Sequence, residues 1–190
     1  MRPAVFLDRD GTLIREAHYL SRMEDLEILP GVPEGLGRLR RAGFALVGVT
    51  NQSGVARGYF GLSFVEAVHR EIDRRLGPAA ALDGWYVCPH HPGFTGPCGC
   101  RKPEPGLVLR AAAELGLDLG RSWVVGDKPA DLELARRTGC RAVLVRTGYG
   151  RETAARLGES GVKPDAIADD LRAAADRILG GPDRKGEVKR

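Results

Sequence analysis

The chain has 190 residues and a formal net charge of +4, and hydrophobic residues make up 43% of it. That share is enough to bury a sizeable core, and it excludes wholesale disorder. No apolar run approaches the roughly 20 residues that a bilayer span needs, and the N-terminus MRPAVFLDRDG does not resemble a signal peptide. We therefore expect a single domain over residues 1–180 in the cytoplasm, with no membrane partner, and a flexible tail over residues 181–190.

The first half of the chain alternates strands with helices. An apolar run over residues 3–8 predicts a buried strand, and residues 31–43 predict a helix. Residues 44–50 predict a second buried strand. Ser63 and Glu66 then predict a capping box at the start of a second helix. That helix has an apolar face made of Val65, Val68, Ile72 and Leu76.

The middle of the chain continues the alternation. Residues 84–88 predict a third strand. A helix is expected to open at Pro105, with Leu109 and Ala113 on its buried side, and to end at Gly116. Residues 122–127 predict a fourth strand, again as a short apolar run.

The last third of the chain completes the predicted fold. Residues 129–139 predict a short helix, residues 140–145 a fifth strand, and Asp169 the cap of a final helix. Strands that alternate with helices at this spacing indicate βαβ units. The predicted fold class is α/β, a Rossmann-like three-layer sandwich with a mostly parallel sheet and helices on both faces.

Polar residues follow the predicted strands where these end. Asp8 and Asp10 come after the first strand, and Asp127 ends the fourth. Thr50 ends the second strand, and Lys102 follows the third. In open α/β sheets the ligand lies beyond the carboxyl ends of the strands. Clustered carboxylates suit Mg²⁺, and a hydroxyl and an ammonium group suit phosphate oxygens. Together these groups indicate phosphoryl transfer.

Each of these residues also has an ordinary explanation. The Asp-x-Asp-Gly sequence can form a turn, and Asp127 can cap the helix that follows it. Lys102 can be a solvated surface residue, and Asn51 and Ser53 can be helix caps or turn residues. The ordinary explanation would have to hold for all of them at once, in the order that an active site requires, which makes the functional interpretation the better one.

Four stretches resemble the haloacid dehalogenase superfamily of phosphotransferases: FLDRDGT, VTNQSG, RKP and VVGDKPAD. The stretches DRDGT, TNQSGVARG, CPHHP, CGCRKP and GDKPAD resemble more closely its heptose 1,7-bisphosphate phosphatases, which are grouped with the histidinol-phosphate phosphatases. The resemblance implies a haloacid dehalogenase-like fold and Mg²⁺-dependent phosphatase activity. The roughly twenty residues after the first motif are too few for a folded cap domain, so we expect an essentially capless enzyme.

The resemblance also implies roles for individual residues. Asp8 would be the nucleophile that forms an aspartyl-phosphate, and Asp10 the general acid and then the general base. The Asp8 carboxylate, the Asp10 backbone carbonyl and Asp127 would hold Mg²⁺. Thr50 and Lys102 would stabilise the phosphoryl group. Substrate contacts would come from His18, Tyr19, Asn51, Gln52, Ser53, Arg101 and Lys128.

A loop with three cysteines and two histidines follows the third strand. Cys88, Cys98, Cys100 and one histidine form the donor set of a closed structural Zn²⁺ site. Spacing alone leaves His90 and His91 open as the fourth ligand, and the resemblance, C-x-H followed by C-x-C, implies His90. The alternatives are free thiols or a Cys98–Cys100 disulfide, which one intervening residue would strain. The zinc ion would stiffen the loop that leads into the RKP motif.

Three functions are compatible with these features of the sequence. The resemblance implies removal of the C7 phosphate of D-glycero-D-manno-heptose 1,7-bisphosphate, a small phosphorylated sugar. An alternative is a phosphatase for histidinol phosphate or another small phosphate monoester. A third is a non-catalytic zinc-bearing module that binds nucleic acid, but the basic residues form no stripe and the loop lacks interleaved aromatic residues. We expect a monomer with no nucleic-acid partner.

Three further residues lie outside the predicted sites. Asp131 has no assigned role, His69 is expected on the polar side of its helix, and Cys140 is expected in the core.

Overall fold

Six parallel strands form the central sheet of the protein, whose residues 1–180 are described by a computed structural model. The predicted tail, residues 181–190, lies outside the described residues. The strands are β1 (Ala4–Leu7), β2 (Ala45–Asn51), β3 (Gly84–Cys88), β4 (Trp123–Gly126), β5 (Arg141–Val145) and β6 (Ala166–Ala168). Their order across the sheet is β3-β2-β1-β4-β5-β6. The chain therefore moves outward from β1 in one direction and then returns to β4 on the other side, and such a reversal places a ligand crevice between β1 and β4.

Helices cover both faces of the sheet. They are α1 (Val32–Arg41), α2 (Leu62–Leu76), α3 (Pro92–Thr95), α4 (Gly106–Leu115), α5 (Pro129–Thr138), α6 (Gly150–Ala155), α7 (Leu157–Ser160) and α8 (Leu171–Gly180). Helices α1, α2 and α8 pack on one face, and α4 and α5 pack on the other. The predicted α/β sandwich is confirmed. No helix within residues 1–180 is long and apolar enough to cross a membrane.

Strand β1 shows why the apolar runs could be recognised as strands. Val5 and Leu7 point into the core on one side of the sheet, and Ala4 and Phe6 point into the core on the other side. All four are fully buried. Strands of a parallel sheet that are buried on both faces have continuous apolar sequences rather than alternating ones. The predicted first strand therefore matches the observed one closely.

The predicted helix caps differ from the observed ones. Helix α2 begins at Leu62 after Gly61, and no side chain of the described residues caps it, so the expected capping box of Ser63 and Glu66 is wrong. At α8 the backbone N–H of Ala173 donates to Asp170 Oδ1 at 2.8 Å. Asp170 therefore caps α8, rather than the expected Asp169. The two carboxylates are adjacent in sequence, and only the backbone geometry selects between them.

The predicted buried face of α4 is also wrong. Leu107, Val108 and Ala111 are buried, whereas Leu109 is 49% exposed and Ala113 lies at the surface. Arg110 and Glu114, four positions apart, mark the exposed side of this helix, and Leu109 and Ala113 lie next to them on that side. Contact with β3 and β2 decides the orientation.

Two further differences concern the sheet edge and a histidine. The sixth strand, β6, was not expected, because three residues at the edge of a sheet leave no long apolar run. His69 is 4% exposed rather than on a polar surface, and its ring stacks on Trp85 at 4.0 Å. Burial, with help from the nearby charge of Arg9, lowers the pKa of His69 to about 3. Cys140 is buried in the core as expected.

The two segments that could hold a cap domain contain only short elements. A single 3₁₀ turn, Met23–Asp25, lies between β1 and α1, and the short helix α3 lies between β3 and α4. Within the described part of the chain neither insertion forms a separate folded layer. The expectation of an essentially capless core is confirmed.

Candidate active site

The groups that the sequence places after separate strands meet at the carboxyl edge of the sheet. Asp8 follows β1, Asp127 follows β4, and Lys102 comes from the loop before α4. Lys102 Nζ lies 2.7 Å from Asp8 Oδ1 and 2.7 Å from Asp131 Oδ1. The crevice between β1 and β4 therefore holds a buried cluster of carboxylates around one ammonium group.

Asp131 anchors the ammonium group of Lys102. Burial disfavours the charge on Lys102, but Asp131 and Asp8 more than offset this and raise its pKa. The other carboxylate oxygen of Asp131 accepts the backbone N–H of Lys128 at 3.1 Å at the start of α5. Asp131 thus caps helix α5 with one carboxylate oxygen and holds the ammonium group of Lys102 with the other. Sequence reasoning left Asp131 without a role, although its place in GDKPAD was a usable signal.

Asp127 has the environment of a metal ligand. Its Oδ2 accepts the backbone N–H of Tyr149 at 2.8 Å, but its buried Oδ1 has no hydrogen-bond partner among the described residues. Burial, together with the charge of Asp8, raises the pKa of Asp127 to about 8. A buried carboxylate beside a second one is costly unless a cation joins them.

Mg²⁺ fits this carboxylate cluster. Oxygen atoms of Asp8, Asp127 and Asp131 lie within 4.8 Å of one another. Asp131 already bonds to Lys102 and to the start of α5, so the oxygens that remain for a cation are those of Asp8 and Asp127. Hard oxygen donors of this kind are what Mg²⁺ prefers.

Two glycines allow the backbone to close around Asp127. A Cβ atom at either Gly11 or Gly148 would collide with the Asp127 carboxylate. Both residues also have positive φ angles, 87° and 53°. Thr147 Oγ1 donates to the Gly11 carbonyl at 2.6 Å and ties the two segments together. The segment 147–149 is therefore part of the site, and sequence reasoning missed it because it follows β5 without a charged residue that points to this chemistry.

Asp10 is held by its neighbour in sequence. Arg9 is only 2% exposed, and its Nε and Nη2 lie 3.1 and 2.9 Å from the two carboxylate oxygens of Asp10. Burial alone would raise the pKa of Asp10, but the charge and hydrogen bonds of Arg9, with a hydrogen bond from Gln52, lower it. Arg9 was missed in the sequence, although a charged residue directly after a buried strand was a signal.

The amides of Asn51 and Gln52 contact other residues of the site. Asn51 Oδ1 accepts the backbone N–H of Lys102 at 3.0 Å, and its Nδ2 donates to the Lys102 carbonyl at 3.2 Å. The buried side chain of Gln52 bonds to Asp10, Thr50 and Arg9. Both residues were expected to contact the substrate. Their polar atoms bind the protein, and both residues also line the cavity beside Lys102. The contacts with the protein could not be predicted, because side-chain pairing over such distances in sequence leaves no local pattern.

All the expected substrate-binding residues line one cavity of about 360 Å³, which Asp10 and Lys102 also border: His18, Tyr19, Asn51, Gln52, Ser53, Arg101 and Lys128. Lys128 Nζ contacts Glu16 at 2.9 Å and lies 4.9 Å from the centre of the Tyr149 ring. Arg101 Nη1 donates to the carbonyl of His90 at 3.2 Å. The cavity thus carries two cationic groups beyond the reacting centre.

The cysteine loop brings its four expected ligands together. Sγ of Cys88, Cys98 and Cys100 and a ring nitrogen of His90 all lie within 4.8 Å of one another. The cysteines are free thiols, and the Cys98 and Cys100 sulfurs lie 3.5 Å apart. Zn²⁺ fits this set of one imidazole and three sulfur donors. His91 faces elsewhere, because its Nδ1 accepts the backbone N–H of Gly93 at 3.1 Å.

Comparison with known proteins agrees with this geometry. A family described as HAD-hydrolase-like matches residues 99–174. The chain is 42% identical to D-glycero-D-manno-heptose-1,7-bisphosphate 7-phosphatase of Thermosynechococcus vestitus, and the match covers 93% of this chain and 95% of that protein. It is 44% identical to D-glycero-β-D-manno-heptose-1,7-bisphosphate 7-phosphatase of Escherichia coli (strain K12), with coverage of 77% and 80%.

A solved structure matches over nearly the whole chain. It is D,D-heptose 1,7-bisphosphate phosphatase from B. bronchiseptica complexed with magnesium and phosphate, with a TM-score of 0.84 and 34% identity. The match covers 95% of this chain and 99% of that one. The identity and coverage of these matches show that the chain belongs to the heptose 1,7-bisphosphate phosphatase family of the HAD-like hydrolases.

Proposed function

We propose that the protein is a Mg²⁺-dependent phosphatase that removes the C7 phosphate of D-glycero-D-manno-heptose 1,7-bisphosphate. The observation that carries this proposal is the buried cluster in which Lys102 contacts Asp8 while one oxygen of Asp127 has no partner among the described residues. The names of the relatives support the choice of a heptose bisphosphate. The cationic groups beyond the cluster offer a place for the second phosphate.

The chain's own residues account for both chemical steps. A carboxylate oxygen of Asp8 attacks phosphorus, and the bond from phosphorus to the sugar oxygen breaks as Asp10 gives that oxygen a proton. Asp10 then takes a proton from a water molecule, which attacks the aspartyl-phosphate and releases inorganic phosphate and free Asp8. Lys102 holds Asp8 in place through Oδ1.

The phosphoryl group needs positive charge and hydrogen-bond donors around it. The ammonium group of Lys102 and the hydroxyl of Thr50 supply these from the protein. Mg²⁺, held by Asp8, by Asp127 and by the backbone carbonyl of Asp10, supplies further charge neutralisation when it is bound. Zn²⁺ in the cysteine loop would have a structural role, because four protein ligands leave no position for water.

The shape of the site suits a small phosphorylated sugar. Within residues 1–180 no folded cap covers the cavity, so the bulk of a substrate can extend outward past Arg101 and Lys128. Besides Asp10, the acid among the described residues that line this cavity is Glu16, and it is paired with Lys128. A bisphosphate is therefore favoured over a substrate with a cationic end such as histidinol phosphate. A nucleic-acid-binding function is disfavoured, because it does not require a buried cluster of carboxylates.

Arg101 provides the test of the second phosphate site. Its Nη1 bonds to the carbonyl of His90, which leaves its other donors free to grip a phosphate. We expect Arg101→Ala to reduce kcat/KM for the heptose 1,7-bisphosphate more than for heptose 7-phosphate. The expected difference is on the order of 1.5–3 kcal/mol, the usual range for a hydrogen bond to a charged group.

Arg110→Ala is the matched control, because this exposed arginine pairs with Glu114 on α4. It is expected to leave both kcat/KM values unchanged. Equal losses for the two sugars with Arg101→Ala would mean that Arg101 serves the reacting phosphate. No loss for either would mean that it only faces solvent. Both results would contradict the assigned second phosphate site.

A further inference from the structure

We propose that Gln52 is a positioning residue that aligns Asp10 with Thr50, and that the buried Arg9 holds this arrangement in place. The inference rests on the proposed function, because it takes Asp10 as the proton donor and Thr50 as a donor to the phosphoryl group. It goes beyond that function by assigning the proton-transfer geometry to Gln52 and Arg9, two buried residues in the wall of the cavity.

The contacts of Gln52 use most of its hydrogen-bonding capacity. Its Nε2 donates to Asp10 Oδ2 at 2.8 Å and to Thr50 Oγ1 at 2.7 Å, and its Oε1 accepts from Arg9 Nη2 at 2.8 Å. The orientation of the amide is unambiguous, because a guanidinium only donates and a carboxylate only accepts. Gln52 is 4% exposed, so these contacts are made away from water.

Arg9 completes the arrangement by binding both Asp10 and Gln52. Its Nη2 contacts both Asp10 Oδ1 and Gln52 Oε1, and its Nε contacts Asp10 Oδ2. Together with the bond from Gln52 Nε2 to Oδ2, this makes three hydrogen bonds that fix the two oxygens of Asp10. The Asp10 side chain keeps 17% of its surface exposed and lines the cavity. The carboxylate is thus anchored on one side and open to a leaving group on the other.

The same amide prepares Thr50 for its role. A hydroxyl group that accepts from Gln52 keeps its own proton free to donate, here to an oxygen of the phosphoryl group. The backbone N–H of Gln52 also donates to the carbonyl of the expected zinc ligand Cys88 at 2.8 Å. Gln52 therefore contacts three parts of the site. These are the proton donor Asp10, the residue Thr50 that donates a hydrogen bond to the phosphoryl group, and Cys88 at the start of the cysteine loop.

This arrangement has a specific kinetic consequence. Proton transfer depends on close alignment of the donor with the leaving oxygen. A sugar alkoxide is a poor leaving group and needs that proton, whereas 4-nitrophenolate leaves without it. Damage to the alignment should therefore reduce kcat/KM for the sugar phosphate more than for 4-nitrophenyl phosphate. General destabilisation of the protein would reduce both equally.

The test compares these two esters in the full-length protein with Mg²⁺. Gln52→Met keeps the length of the side chain and removes its hydrogen bonds. We expect its kcat/KM for heptose 1,7-bisphosphate to fall at least about ten-fold more than its kcat/KM for 4-nitrophenyl phosphate. Arg9→Lys keeps the positive charge but loses the paired hydrogen bonds of the guanidinium to Asp10. It should shift the ratio of the two kcat/KM values in the same direction. This second variant serves if Gln52→Met folds poorly.

Two controls separate positioning from structure. Arg40→Met removes an ion pair with Asp83 away from the site, and it should leave the ratio unchanged even if stability falls. In an Asp10→Asn background Gln52→Met should no longer change the ratio, because it would act through Asp10. An unchanged ratio in both Gln52→Met and Arg9→Lys would overturn the positioning role and leave the role of Asp10 standing. An unchanged ratio in the Asp10→Asn single variant would show that Asp10 is not the proton donor. That result would overturn the positioning role of Gln52 as well.

Discussion

Asp8→Asn is expected to abolish phosphate release from every substrate in the presence of Mg²⁺. An amide oxygen cannot take the place of the carboxylate that attacks phosphorus, so no aspartyl-phosphate can form. The change also removes a charge partner of the buried Lys102, which keeps its contact with Asp131. The measurement is steady-state phosphate release, with circular dichroism to show that the variant is folded.

Asp10→Asn is the matched control, because it changes the second aspartate of the same motif by the same atoms. It should lower turnover by about 10²–10⁴-fold, the usual contribution of general acid–base catalysis. It should still allow Asp8 to become phosphorylated by 4-nitrophenyl phosphate, visible as a burst of 4-nitrophenol. Normal hydrolysis by folded Asp8→Asn protein would contradict the mechanism.

The second large effect is expected from loss of the zinc site. Elemental analysis should find about one zinc per chain, from the four-ligand set. Mild chelation should remove Mg²⁺ and activity but not zinc, and added Mg²⁺ should restore turnover, because an open oxygen site exchanges readily. Cys98→Ser should lose the zinc, lower the thermal stability and lower kcat/KM. The reason is that the His90 carbonyl holds Arg101 at the cavity.

Cys140→Ser is the matched control, since Cys140 is a buried cysteine that is not among the four expected zinc ligands. It is expected to lower stability without removing zinc. A zinc-free wild-type protein that remained fully active and fully stable would refute the structural role of the metal.

Most of the fold and the centre of the site can be predicted from the sequence. Buried parallel strands leave unbroken apolar runs, and the residues directly after them must meet at one sheet edge. Asp8, Asp127 and Lys102 were found in this way. The edge strand β6 was not, because three residues give no pattern. The buried side of α4 was assigned wrongly, although Arg110 and Glu114 mark its exposed side.

The supporting residues of the site could not be predicted for a different reason. A sequence shows which side chain stands at the end of a strand, but not which atom it contacts after folding. Asn51 pairs with the backbone of Lys102, 51 positions away, and no local pattern in the sequence predicts this contact. Arg9 was given no role and that of Asp131 was left open for the same reason, since their partners become visible only in three dimensions.

The most direct test of the proposed activity is a comparison of kcat/KM for the wild-type protein with Mg²⁺. The substrates are the two anomers of D-glycero-D-manno-heptose 1,7-bisphosphate, heptose 7-phosphate and histidinol phosphate. We expect one of the bisphosphate anomers to exceed both monophosphates by at least about ten-fold, the equivalent of one hydrogen bond to a charged group. The product should retain its C1 phosphate. A value for histidinol phosphate equal to or above that of both bisphosphates would contradict the proposed function.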